Sequence, residues 1–157
     1  MYFFFYIWER MLKKELISLA LKWQEKFGVP PQIITAISEY DAAMMVGMSE
    51  TAYSDYMQTL TAVNKGFDFE FKRVHYQVKS NHPSGKPGSR VTMISKVKNY
   101  DWDKLIWILY DEKYNMQEAW IWDKKDYKVA FENKNRLSPN DMRKGMCLYP
   151  KKNKGKR

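Results

Sequence analysis

The sequence predicts an α/β (α+β) fold, a mixed central β-sheet flanked by helices. Apolar residues recur at spacings of three and four before residue 47, they alternate with polar residues between 66 and 79, and a run apolar on both faces follows at 105–110. With 157 residues, 45% of them apolar, the chain can bury roughly 70% of its unfolded surface in a core without disulfides. Cys147 is the only cysteine. With His75 and His82 the only histidines, a disulfide framework and a classical structural zinc site are excluded. The expected organisation is one domain over 1–149, helical in its N-terminal part (about 11–47), and a basic tail over 150–157.

The opening Tyr2-Phe-Phe-Phe-Tyr-Ile-Trp8 is strongly apolar. No basic region precedes it, and it falls far short of the ~20 residues of a membrane span. It reads as neither a signal peptide nor a transmembrane helix, so no membrane partner and a cytoplasmic protein are expected; Met11 is an alternative start. Leu12, Leu16, Leu19, Trp23 and Phe27 form the stripe of an amphipathic helix, stopped by Gly28 and Pro30-Pro31. A second helix is expected from about Pro31 to Gly47, with Ile33, Ile37, Tyr40, Met44 and Met48 on one side. Its other face, Thr35, Ala36, Glu39, Ala42, Ala43 and Val46, is small except for Glu39, and narrow enough to approach another element closely. Glu39 reads either as a lone carboxylate on that strip or as an ordinary surface acid.

Residues 49–65 suggest a short helix and a loop, with no chemistry assigned. In Gly66-Phe-Asp-Phe-Glu-Phe71 and Val74-His-Tyr-Gln-Val-Lys79 the period is two, the pattern of strands with one apolar face. A two-residue turn at Lys72-Arg73 sets Asp68 opposite Gln77 and Glu70 opposite His75, with Lys79 on the face of Gln77 one pleat on. The turn lacks the Asn-Gly that hairpins favour. His82–Arg90 is a Pro/Gly/Ser loop, and not a Walker A loop, since Lys86 precedes Pro87. Leu105–Tyr110 reads as a buried central strand and Met116–Trp122 as its neighbour through a turn at Asp111–Asn115. Asp123–Phe131 suits a short helix, and Ser138 caps another that begins at Pro139. The tryptophans between 102 and 122 read as core packing rather than base-stacking platforms, and both histidines as structural.

The net charge is +9, of which the tail carries five cations, leaving 22 against 18 elsewhere. A basic tail on a mildly basic domain favours a polyanion, most simply nucleic acid; a solubilising tail is the plain alternative. Asp68, Gln77 and Lys79 on one hairpin face supply oxygen ligands for a hard divalent cation, with an ammonium two residues along. Such a set can hydrolyse a phosphodiester: the cation polarises the phosphoryl group while the lysine orients water and offsets charge. The same residues also read as a solvated polar face of a half-buried sheet.

A helix with Glu39, then Gly66-Phe-Asp68, then a hairpin into Tyr76-Gln-Val-Lys79 resembles the core of the PD-(D/E)XK nuclease superfamily, which includes restriction endonucleases. The match spans roughly residues 31–122, and Gln77 stands where the family usually has an acid. The resemblance implies a restriction-endonuclease-like core and an Mg2+-dependent DNA endonuclease, with Mn2+ as a substitute. It assigns Asp68, Gln77 and the Val78 carbonyl to the metal, Lys79 to catalysis and Glu39 as the helix-borne acid. Ser84, Lys86, Arg90, Lys96 and Lys98 follow directly after Lys79 and would lie along the DNA backbone. A homodimer is expected because one active site cuts one strand. The alternatives are a non-catalytic DNA-binding module with a degenerate nuclease fold and a ribonuclease toxin.

Overall fold

The computed structural model describes residues 2–60 and 66–151, with side chains from residue 11 onward. The apolar side chains of 2–8 and most of the basic tail therefore lie outside the described residues. The chain runs α1 (Tyr2–Phe27), α2 (Ile34–Met45), α3 (Glu50–Thr59), β1 (Phe69–Phe71), β2 (Val74–Asn81), β3 (Lys104–Tyr110), β4 (Met116–Asp123), α4 (Lys124–Phe131), α5 (Pro139–Met142) and β5 (Met146–Tyr149). The strands form one sheet in the order β1-β2-β3-β4-β5, antiparallel except for the parallel pair β2–β3. This is the mixed sheet with flanking helices that the patterning predicts. No helix among the described residues is long and apolar enough to cross a membrane.

The hairpin has the expected register, with Phe69 opposite Tyr76 and Glu70 opposite His75. Lys72 and Arg73 make the turn with φ of 51° and 64°. Both lie in the left-handed region that matches the strands' twist but strains a residue with a side chain. Replacing them together by Asn-Gly should relieve that strain and stabilise the protein by about 1 kcal/mol. A raised urea midpoint at unchanged slope would show it, and a lowered one would mean the Lys-Arg side chains contribute more than the strain costs.

Each face of the sheet carries its own core. Tyr76 and Val78 with Ile106, Ile108, Tyr110, Ala119 and Ile121 meet Ile37, Ala42 and Ala43 of α2. Ala42 and Ala43 are wholly buried and Ile37 joins them from the apolar stripe, whereas Thr35 and Ala36 are exposed, so α2 meets the sheet along a line between its two expected faces, while Ile33, Ile34, Met44 and Met45 pack only partly. On the other face Leu105, Trp107 and Trp122 meet Tyr127 and Phe131 of α4 and Met142 of α5. The β2–β3 crossover closes this side with Ile94, Val97 and Trp102. Trp102, Trp107 and Trp122 are thus core residues, as expected.

Three expectations are corrected. The stripe Leu12, Leu16, Leu19, Trp23 and Phe27 does not face the core. It is exposed, and α1 docks instead through buried Ala20, half-buried Ile17, an ion pair from Lys13 to Asp41 and a hydrogen bond from Gln24 to the Ser84 carbonyl. Polar anchors one helical step round from the stripe decide the docking face. The first hairpin strand starts at Phe69 rather than Gly66, because residues 66–68 bend away. β5 was not anticipated; its four residues lack a clear alternation, and they pair with β4 after the tight bend at Gly145, where an added Cβ would lie 2.8 Å from the Ile121 carbonyl oxygen. The N-cap at Ser138 is present as a full capping box with Asp141.

Candidate active site

Asp68 immediately precedes β1, where β2 goes on past Tyr76 to Asn81, so the outer edge of β2 has no strand beside it there. Its backbone N–H donates to the Tyr76 carbonyl at 2.8 Å, which continues the hairpin by one bond. The edge amide that follows, Val78 N–H, finds no strand and donates to Asp68 Oδ2 at 2.6 Å. The Gln77 side-chain amide donates to the same oxygen at 2.6 Å. Gly66, with φ of 80°, turns the chain into this position, and Asp101 sits so close to it that a side chain there would collide.

The open edge forms one wall of a recess of about 320 Å³. Asp68, Gln77, Val78 and Lys79 line it from the hairpin, and Glu39 lines it from α2. The five residues expected to form a centre are thus gathered, although Glu39 is about 30 residues away in sequence. Burial pushes the Glu39 carboxyl up to about 7, and the charge of Asp68 adds to the effect. Burial also raises Asp68, against the Val78 N–H bond and the Lys79 charge, which lower it. Two carboxyl groups and one ammonium therefore share a space where like charge is costly.

A carboxyl whose folded value exceeds its unfolded one is penalised as pH rises between them, so Glu39 erodes stability from about pH 4.5 upward until it is ionised above about 7. Glu39→Gln imitates the protonated form and removes that penalty. Its melting temperature should match the wild type near pH 5 and exceed it at pH 8. Parallel curves across that range would place Glu39 in a solvated setting instead.

The expected phosphate contacts separate into two groups. Lys86, Arg90 and Lys98 are exposed and enter no ion pair among the described residues. Ser84 pins its loop through bonds to the Ser89 hydroxyl, 3.1 Å from its N–H and 3.0 Å from its Oγ. Lys96 has a different position from the one expected: its ammonium donates to the carbonyls of Phe131, Glu132 and Lys134 at the end of α4. There it neutralises the negative pole of the helix and its unpaired carbonyls. None of these cations lines the recess.

The structure also adds residues to the site. Ser38, Ser80, Asn81 and Ser95 line the recess. Asn81 continues the period of Gln77 and Lys79, a readable signal; its side chain is held by Trp107 Nε1–H at 2.8 Å. Tyr53 of α3 is pushed up to about 12 by burial and by the charges of Glu39 and Asp68. Nothing in its sequence surroundings marks it. His75 stacks on Phe67 with ring centres 4.0 Å apart, and His82 on Tyr114 at 4.2 Å. Both have the structural setting expected of them. Among the described residues no three His, Cys, Asp or Glu side chains converge. Comparison of the chain with protein-family models and with characterised proteins returns no match.

Proposed function

We propose that the recess is the active site of a metal-dependent DNA endonuclease of the PD-(D/E)XK type, hydrolysing phosphodiester bonds. The observation that carries this reading is the meeting of Asp68, Gln77 and Lys79 with Glu39 at an open sheet edge. The donors fit a hard divalent cation: all are oxygens, and the mutual repulsion of two carboxyl groups is what such an ion relieves. Asp68, the Gln77 amide oxygen and the Val78 carbonyl would hold Mg2+ or Mn2+. Bound there, the cation would polarise the phosphoryl group and lower the charge of the transition state. Gln77 turns its NH2 group toward Asp68, so ligation through its oxygen needs a half-turn of the amide.

The rest of the chemistry belongs to the chain. Lys79 presents a cation beside Asp68, suited to orienting water and to offsetting charge on the phosphoryl oxygens. Lys86, Arg90 and Lys98 supply exposed charge for the DNA backbone, with affinity that falls as salt rises. Each site cuts one strand, so a double-strand break takes two copies. Plasmid DNA should be nicked by the protein with Mg2+ or Mn2+ and left intact with EDTA.

A second reading, a DNA-binding module that has lost catalysis, is favoured by one observation. The place usually held by a second acid is an amide, and that amide is already engaged with Asp68. Gln77→Glu separates the two. In a working enzyme it should tighten Mg2+ in calorimetry and preserve nicking; in a lapsed one it should create nicking that the wild type lacks. Unchanged Mg2+ affinity would put Gln77 outside the metal shell and remove the basis for the motif.

A further inference from the structure

Soluble surfaces seldom leave several large apolar side chains in one row. On α1, Leu12, Leu19, Trp23 and Phe27 are 70, 63, 51 and 54% exposed, and Leu16 stands between them at 37%. Their spacing of four, three, four and four puts all five within one narrow strip about 22 Å long. The strip is separate from the docking face, since Lys13, Ile17, Ala20 and Gln24 follow one helical step round. From Leu12 to Trp23 the intervals of four, three and four are those of a coiled-coil seam, and Phe27 flanks its end.

We propose that this strip is a self-association surface, on which α1 of one copy packs antiparallel against α1 of a second. The charges beside the strip choose that occupant and that direction. Glu15 and Lys22, both exposed, lie together on the flank turned away from the protein's body. Laid antiparallel so that Leu16 meets Leu19 and Trp23 meets Leu12 of the other copy, the two helices bring Glu15 to within two residues of Lys22 along the axis, about 3 Å, on both sides of a two-fold axis, within reach of their side chains. A parallel pair sets each residue level with its own copy and opposes no acid to a base. The antiparallel contact is also closed, so it ends at a dimer. This inference does not depend on the nuclease reading, and its test measures no cleavage.

Sedimentation velocity over a hundredfold range of concentration should give a monomer that converts to a species of twice its mass. Leu16→Lys with Leu19→Lys should hold the protein monomeric at every concentration, with unchanged helical circular dichroism and melting temperature at the lowest one, since both residues are exposed. Glu15→Lys and Lys22→Glu should each weaken the dimer about fivefold by opposing like charges twice. Combining them should restore it, a pattern that only a self-complementary contact of this direction gives. A wild type that stays monomeric overturns the proposal, whether or not the same protein binds anionic vesicles, which would make the strip a membrane-surface helix. A dimer that the leucine variants leave intact, or single charge variants without effect, overturns it too.

Discussion

Lys79→Ala is expected to abolish metal-dependent cleavage, with a loss of at least about 10²–10³-fold in rate, while affinity for DNA stays nearly unchanged. Lys79 is one cation among 27 Lys and Arg, so it adds little to the total attraction for a polyanion, but it is the ammonium placed beside Asp68 in the recess. Asp68→Asn should be equally inactive and should also lose Mg2+ affinity. The asparagine is the informative replacement because its oxygen can still accept from Val78 N–H, so the sheet edge stays satisfied and lost activity reports on charge rather than on folding. Glu70→Gln is the control, since Glu70 pairs with His75 and does not line the recess. Nicking assays with Mg2+ and band shifts with Ca2+ separate the two effects. Wild-type cleavage by Lys79→Ala would refute its catalytic role; cleavage lost in Glu70→Gln and kept in Asp68→Asn would move the centre to the other acid.

Asp41→Ala is expected to lower stability by about 3 kcal/mol, the largest loss from any single polar side chain away from the recess. Asp41 is buried under α1, where it pairs with Lys13 and accepts a hydrogen bond from Tyr110 at 2.8 Å. Removing it leaves an ammonium half out of water and a buried hydroxyl without partners, and it frees α1 from α2 and β3 at one stroke. The Tyr110 hydroxyl, which burial and the Asp41 charge push up, would then move back toward its ordinary range. Urea unfolding measures the loss, and limited proteolysis should cut first in α1. A change below about 0.5 kcal/mol would show that apolar contacts alone hold α1.

Wherever structure follows from short-range pattern, it was legible. The alternation of Phe67, Phe69 and Phe71 with Asp68 and Glu70, answered by Tyr76 and Val78 with Gln77 and Lys79, already sets the hairpin register, because a slip by one residue would turn every side chain to the wrong face. The apolar run 105–110 reads as a buried strand, and the capped Ser138-Pro-Asn-Asp as a helix start, for equally local reasons. Three of the recess residues are close in this register, and Glu39 was picked out as the one large polar group on a strip of alanines.

What tertiary structure alone decided concerns groups far apart in the chain. Periodicity showed that α1 has an apolar stripe, but only the ion pair to Asp41 and the packing of Ala20 show that a different face docks. Lys96 lies in a basic stretch, yet its charge is spent on the carbonyls at the end of α4, 35 residues on. Tyr53 lies in a segment without pattern, and folding alone brings its hydroxyl under the charges of Glu39 and Asp68. By itself the sequence determined β2, β3 and β4, the hairpin register and which hairpin side chains face together, since these depend on steric preference and apolar spacing within a few residues; the short β5 carries no such pattern. The docking of α1, the meeting of Glu39 with Asp68 and the elevated Glu39 carboxyl depend on burial and on charges brought close by long-range packing, and so only the tertiary structure decided them.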